Sequence, residues 1–250
     1  MQNKKSEIDF FNKFRKDGYD VFDEKGYEKI IQLFNKLIRP EKGEKVVEFG
    51  CGTGSFTKYL RKYKLDITGI DISAKCIKYA KRNYLDTNFL VADIENTGLS
   101  DNRFDIAFLG GVLHHLDNLF KCAKEVYRVV KPSGRFFAYD PHKKNPIMWL
   151  YRDKKSPLYS NVGVTPNERL LTAEEIKQAF TNAGFKEIIV FPTSGITYKY
   201  VESKITKNFL PLYNLAETIF DRTYFSKKYG SFLISFGKKN EDNFGKSTAS

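Results

Sequence analysis

From Lys45 onward, short apolar runs alternate with stretches whose apolar residues recur at helical spacing. The order is KVVEFG, SFTKYLRKY, LDITGID, SAKCIKYAKRN, NFLVA, RFDIAFLG, NLFKCAKEVYRVVKP and GRFFAYD, with Pro132 and Gly134 marking the turn into the last run. Apolar runs of this length read as buried strands, and the 3.6-residue spacing between them as amphipathic helices. Strands that alternate with helices in this way need right-handed crossovers and a parallel sheet covered on both faces. The expected fold class is therefore α/β, a doubly wound and mostly parallel sheet.

The flanking regions read differently. Residues 1–44 are polar with scattered aromatics, and KIIQLFNKLI carries helical spacing, so a helical N-terminal extension is expected ahead of a domain at 45–239. Regularity breaks at 142–171, and LTAEEIKQAFTNAG then opens with Thr172 and Glu175 in capping-box positions and closes at Gly184. FKEIIVF and SFLISFGKK read as two final strands separated by residues 195–229, far more chain than a hairpin needs. Long insertions of this kind are usually functional. Residues 240–250 read as a flexible tail.

Composition narrows the class of protein. The chain has 250 residues, enough for one large domain with decorations. Its 42 Lys and Arg against 30 Asp and Glu give a net charge of +12, which permits a polyanion, an anionic membrane surface or a phosphorylated substrate without choosing among them. Three cysteines, Cys51, Cys76 and Cys122, form no Cys-x-x-Cys pair and stand near no clustered histidines, so neither a disulfide framework nor a zinc site is expected. No apolar stretch is long enough to span a bilayer, and Asp and Glu occupy the start where a signal peptide needs apolar residues. A cytoplasmic protein is expected.

The candidate chemistry gathers at strand ends. The run VVEFGCGTGS follows a strand and opens a helix, so Gly50, Gly52 and Gly54 fall where the chain turns tightly and a ligand can approach the backbone. The spacing G-x-G-x-G differs from the G-x-G-x-x-G of pyrophosphate binders, which disfavours a nicotinamide-dependent dehydrogenase. Glu48, inside the strand end, would repel a pyrophosphate but not a cationic amino-acid group. Asp71 ends the next strand, where an acid can accept hydrogen bonds from ribose hydroxyls, and Asp93 ends the third. Carboxylates and glycines at successive parallel strand ends face one crevice, and a positively charged nucleoside is the ligand they imply.

With these residues in view, the chain resembles a class I S-adenosylmethionine-dependent methyltransferase of the small-molecule group that includes ubiquinone and menaquinone methyltransferases. VVEFGCGTG, GIDIS, VADIENTGLSDNRFDIAFLGGVLHHL and AKEVYRVVKPSGRFF carry the resemblance over about residues 45–140. It implies a Rossmann-like sheet of seven strands with the last antiparallel, and S-adenosylmethionine as cofactor. It places Glu48 near the methionine amino group, Gly50 and Gly52 under the ligand, Asp71 on the ribose, and Asp93 with Ile94 around the adenine. Gly54, Ile72 and Leu109 complete the expected cofactor-binding set.

The end of the fourth strand, LGGVLHHL, should face the transferred methyl group. It lacks the Asn/Asp-Pro-Pro-aromatic turn of enzymes that methylate base amines or protein amides, and the Pro-Cys nucleophile of cytosine chemistry. Relatives of the ubiquinone type carry acids at the positions of Gly111 and His114, which with a histidine hold a divalent cation. This chain has neither acid, so no catalytic metal is expected. His114 and His115 have two readings, proton acceptance from an attacking hydroxyl by at least one of them, with His115 the more important, or a structural pair capping the next turn. His142 reads either as an exposed loop residue or as part of the acceptor pocket.

Two basic, aromatic insertions remain. Trp149 and Tyr151 lie in the first, and FLPLYNLAETIF in the second sets Phe209, Leu212, Tyr213, Ala216, Ile219 and Phe220 at helical spacing, widened by Leu210 and Leu215. These read as a lid over the acceptor pocket, with peripheral membrane contact as the alternative. The expected activity is methyl transfer to oxygen of a small acceptor with an apolar part or of a lipid- or glycan-type acceptor. An RNA methyltransferase and a non-catalytic S-adenosylmethionine-binding protein are the rivals; no appended nucleic-acid module is visible, and the cofactor loop is intact.

Overall fold

The computed structural model describes residues 3–13, 20–162, 164–201 and 204–241. Among them the helices are α1 (Lys4–Phe11), α2 (Glu24–Ile38), α3 (Thr57–Leu60), α4 (Ala74–Asn83), α5 (Leu119–Val129), α6 (Pro146–Arg152), α7 (Ala173–Ala183), α8 (Lys204–Phe220) and α9 (Ser226–Tyr229). The strands are β1 (Lys45–Phe49), β2 (Asp66–Asp71), β3 (Asn88–Val91), β4 (Phe104–Gly110), β5 (Val130–Pro141), β6 (Lys186–Thr193) and β7 (Phe232–Lys238). All eight sequence-read strand and helix runs of the central region fall on these elements, and the two late apolar runs become β6 and β7.

The seven strands form one sheet in the order β3-β2-β1-β4-β5-β7-β6, in which β7 runs antiparallel to both neighbours and the other described pairs are parallel. The order reverses between β1 and β4, and ligands in open α/β sheets bind at such a point, beyond the carboxyl ends of the strands. One face of the sheet packs Phe49, Leu109 and Phe136 against α5 and α7 through Val126 and Phe180. The opposite face packs Phe108, Phe137 and Ile234 against α2, whose Ile30, Phe34 and Ile38 are fully or nearly fully buried. Thus α2 is one of the sheet's covering layers.

Local chemistry sets the helix ends. Ser73 caps α4 by accepting from the Cys76 N–H, and Asp23 caps α2 by accepting from the Gly26 N–H. At α7 the capping box of Thr172 and Glu175 forms as the sequence indicates, and Gly184 closes the helix with φ at 109°. The irregular stretch expected at 142–171 contains one helix. Asn145 accepts from the Met148 N–H and Pro146 supplies a preset φ in the first turn, so α6 starts there. Residues 195–229 hold α8 and α9, and the expected tail lies, from 242 on, outside the described residues.

Candidate functional site

A cavity of about 490 Å³ opens at the carboxyl ends of β1, β2 and β4. Glu48, Gly50, Gly52, Asp71, Ile72, Asp93, Ile94, His114 and His115 all line it, so the structure brings together most of the residues that the sequence singled out. Gly54 and Leu109 stand outside its lining. Leu109 is fully buried in the layer between the sheet and α5, because strand pleating turns it away from the cavity. Gly54 acts through the backbone: its φ is 89°, and a Cβ there would stand 2.6 Å from the Tyr84 ring.

The glycine loop after β1 is held from below. Gly50 and Gly52 also have positive φ, 65° and 54°, a region that side chains other than glycine occupy with strain. The Gly52 N–H donates to Asp71 Oδ2 at 2.9 Å, and the Ser73 N–H donates to Asp71 Oδ1 at 2.8 Å. One carboxylate therefore orients both the loop and the start of α4. Burial raises the Asp71 pKa, while these two N–H donors pull it down. Cys51 sits within the loop with its thiol pushed well up by burial, which makes it a space-filling residue and no nucleophile.

Glu48 is buried and accepts a hydrogen bond from Thr57 Oγ1 at 2.6 Å. Burial pushes its pKa up to about 8, with the Thr57 hydroxyl opposing and the Asp71 charge adding to the rise. A buried carboxyl that holds its proton only for want of a cation fits the ammonium of an amino-acid ligand. Asp93 accepts from the Glu95 N–H at 3.0 Å and is ion-paired with Lys4 of α1, which reaches Glu95 as well at 2.6 Å. The first helix thus lies across the edge of the cavity at the end of β3.

The histidines occupy a single 3₁₀ turn, Leu113–His115, after β4. The His114 N–H donates to Asp140 Oδ1 at 3.0 Å, and its ring Nδ1 lies 2.9 Å from the same oxygen. Burial pushes His114 well below its ordinary pKa and Asp140 well above, so both shifts disfavour the charged forms of the pair. His115 Nδ1 lies 3.1 Å from Thr165 Oγ1 and 3.2 Å from Glu7 Oε2. Neither reading of His142 survives: it is buried, its Nδ1 meets the Gly230 carbonyl at 2.9 Å, and it lines no part of the cavity. It ties β5 to the end of α9.

Sequence reasoning missed Glu7, Asp140, Arg152, Thr165 and Glu168. Four of these, Glu7, Arg152, Thr165 and Glu168, come from segments without strand or glycine signals, and only tertiary packing brings them to β4. Asp140, in DPH at the end of β5, carried the signal that such strand ends always carry.

Glu168 changes the metal question. His114, His115 and Glu168 present ligand atoms within 4.8 Å of one another, with His114 Nε2 at 3.9 Å from Glu168 Oε1. That same carboxylate oxygen is ion-paired with the Arg152 guanidinium. A cation bound at that oxygen would compete with the positive charge of Arg152.

The acceptor side is mostly apolar. Phe10, Phe11, Phe22, Val164, Tyr198 and Phe232 line it, contributed by the N-terminal segment, both insertions and the start of β7. The expected roof is only partly right. Tyr198, Tyr200 and Val201 of the second insertion reach the cavity, but among the described residues none of α8 does. Phe209 points outward at 62% exposure, and Tyr213 supports the wall indirectly, with its ring 5.9 Å from that of Tyr198. Trp149 likewise faces away from the cavity.

Residues 47–138 match the family described as "Methyltransferase domain". Over 98 residues the chain is 34% identical to malonyl-[acyl-carrier protein] O-methyltransferase of Pectobacterium atrosepticum, a match that covers 39% of each chain. It is 25% identical over 170 residues to demethylmenaquinone methyltransferase of Paenarthrobacter aurescens, covering 61% of this chain and 66% of the relative. The match thus spans about two fifths of the acyl-carrier-protein relative. Among solved structures, a SAM-dependent methyltransferase of Thermotoga maritima, described as a possible histamine N-methyltransferase, superposes with a TM-score of 0.61 at 22% identity over 95% of this chain and 96% of that one. Residues 47–138 thus match a methyltransferase domain, and the sheet as a whole has the Rossmann-like fold of solved S-adenosylmethionine-dependent methyltransferases.

Proposed function

We propose that the protein transfers the methyl group of S-adenosylmethionine to an oxygen of a small, largely apolar acceptor, lipid- or glycan-linked, without a metal. The observation that carries this reading is the juxtaposition, in one cavity, of the carboxyls of Glu48 and Asp71, suited to a cationic amino acid and a ribose, with a histidine turn and an aromatic wall. The bound cofactor supplies a methyl group on a sulfonium sulfur, whose departure as a thioether needs no acid. The acceptor oxygen forms the new bond to the methyl carbon as the carbon–sulfur bond breaks. His115 takes the proton of the acceptor hydroxyl and passes it to solvent, and the hydrogen-bonded His114–Asp140 pair fixes the turn that aims it. Positioning on the apolar wall supplies the rest of the rate.

The Arg152–Glu168 pair at the acceptor end gives a polar head a place to bind beside an apolar tail. Apolar exposed residues on α8 favour an enzyme that works at the cytoplasmic surface of a membrane; no described helix is long and apolar enough to cross one. Incubation with labelled cofactor and a cell extract, fractionated into lipid, RNA and polar metabolites, tests the reading. Label in the lipid or glycolipid fraction is expected, and label only in RNA, or none with cofactor bound, overturns it.

A further inference from the structure

Glu7 lies on α1, more than a hundred residues from the histidine turn, yet it is 4% exposed and its Oε2 stands 3.2 Å from His115 Nδ1. Asn167 Nδ2 donates to Oε1 at 2.7 Å, whereas the buried Oε2 makes no hydrogen bond of good geometry among the described residues and faces His115 Nδ1, which also meets the Thr165 hydroxyl at 3.1 Å. Burial by itself would raise the Glu7 pKa, but the hydrogen bonds and charge of His115 and the donors of Thr165 and Asn167 outweigh it, so the group stays ionised. The ring of Phe11, one turn further on, meets His115 edge-on with centroids 5.4 Å apart.

The same helix closes the cofactor end. Lys4 pairs with Asp93 and Glu95, Asn3 meets Asn167, and Ser73 Oγ donates to Asn12 Oδ1 at 2.8 Å, directly beside the Asp71 turn. One short element therefore touches the nucleoside carboxylate, the loop that carries Asp71, and the proposed base.

We infer that Glu7 is a positioning residue for His115: docking of α1 over the cofactor brings a buried carboxylate to Nδ1, holds the ring with Nε2 toward the acceptor, and so completes the base only when the cofactor end is closed. This rests on the reading of His115 as the base. The carboxylate fixes one tautomer, Nδ1–H to Glu7, and compensates the imidazolium that forms when Nε2 accepts the acceptor's proton, as a second carboxylate does for other catalytic histidines. Other ionisable groups around the ring are His114, 4.2 Å away between centroids, Asp71, whose titration responds to His115, and the Arg152–Glu168 pair. Of these, Glu7 is the one placed at Nδ1 by an element outside the family-matched region.

The test compares Glu7→Gln, Glu7→Asp and His115→Ala in the full chain, with kcat and KM for the acceptor, the pH profile of kcat, cofactor affinity and melting temperature read on each. Gln keeps the shape and the Asn167 contact but removes the charge. Expected for Glu7→Gln is a kcat about 10- to 100-fold lower with acceptor KM within about twofold, and a rising limb of the pH profile moved to lower pH. Cofactor affinity and melting temperature should stay near those of the wild type, and Glu7→Asp should recover part of kcat. If His115→Ala is inactive while Glu7→Gln keeps full kcat and an unmoved pH profile, the inference fails and the base reading stands. If His115→Ala is fully active, the base reading itself fails. A Glu7→Gln variant that loses melting temperature, cofactor affinity and kcat together shows a structural helix and also overturns the inference.

Discussion

The two halves of the cavity are built by different means. The half that we read as the cofactor's is made at consecutive strand ends: Glu48 in β1, the glycine loop after it, Asp71 closing β2 and Asp93 two residues beyond β3. Each group is placed by its own few neighbours, as when the Gly52 and Ser73 N–H groups clasp Asp71. The acceptor half is assembled from α1, the stretch around 151–168 and residues 198–201, with Phe232 from the last strand. None of these segments determines its position locally; each depends on the sheet having formed. A cofactor common to many enzymes can be bound by short-range backbone geometry, whereas a particular acceptor is met by chain segments free to vary without disturbing it.

The most damaging single change should fall on the cofactor half. Asp71→Ala removes the ribose acceptor together with the clasp on Gly52 and Ser73, and each charge-assisted hydrogen bond is worth about 1.5–3 kcal/mol. Calorimetry should show S-adenosylmethionine affinity weakened by at least about 100-fold. An affinity within threefold of wild type would mean that the ligand does not use this strand end, and the division of the cavity into halves would lose its basis.

The histidine turn lies at the seam, and separates the halves by kinetics. His115→Ala should lower kcat by about 100-fold or more while S-adenosylmethionine still binds. His114→Ala should cost stability instead, because it strands a buried Asp140 whose second oxygen already has no hydrogen-bond partner among the described residues. Turnover should persist in a chelator, since Arg152 already holds Glu168. Activity lost to chelator and restored by magnesium or zinc would show that the cation displaces the guanidinium.

This contrast also marks what the sequence could reveal. The parallel sheet, its strand limits and the carboxylates at strand ends are written in periodicities and turn residues that act within about ten positions, so they were legible. Glu7, Thr165 and Glu168 were not, because an acid or a hydroxyl in a polar segment gains meaning only from what packs on it. Leu109 erred in a different way: the strand end was right, but the pleat gave its side chain to the core beneath α5 and left the neighbouring Gly110 to face the cavity. His142 shows the converse, a polar residue in a loop sequence that folding buried against the Gly230 carbonyl.

A smaller effect should appear in pH dependence. Glu48 without ligand titrates at about 8 against an ordinary 4.5, so near neutrality the free enzyme binds a proton there that an incoming ammonium expels. Calorimetry in buffers of different ionisation enthalpy should register proton release on S-adenosylmethionine binding at pH 7, with affinity rising between pH 5 and about 8. A raised folded-state pKa stabilises the fold fully below 4.5, and this contribution fades as pH climbs through about 8. Asp71, Asp140 and Glu217 are shifted the same way. The ligand-free protein should therefore melt lower as pH is raised across that window, and the Glu48→Gln variant should flatten part of the trend. No proton release would place the ammonium elsewhere.

The smallest effect on catalysis, and the one that most sharpens the picture of the acceptor half, concerns its outer surface. Phe209, Leu212, Leu215 and Ile219 share one face of α8 at 62%, 65%, 57% and 59% exposure, and Tyr224 and Phe225 extend it. Lys207, Arg222, Lys227 and Lys228 are exposed beside them. The acids in the same stretch are spent inward: Glu217 is buried on Ser231 and the Gly195 N–H, and Asp221 is paired with Lys29 at 2.7 Å. An apolar stripe edged only by cations suits an anionic bilayer surface, where each basic residue contributes about 1 kcal/mol. Replacing Leu212 and Ile219 together with Ser should weaken sedimentation with vesicles of about 30% anionic lipid roughly tenfold, while kcat on a dispersed acceptor stays unchanged. Vesicle binding should also fall as salt screens the cations. If the double variant instead converts a dimer to a monomer in sedimentation, the stripe covers a second copy of the chain, and the acceptor reaches the aromatic wall from solution rather than from a membrane.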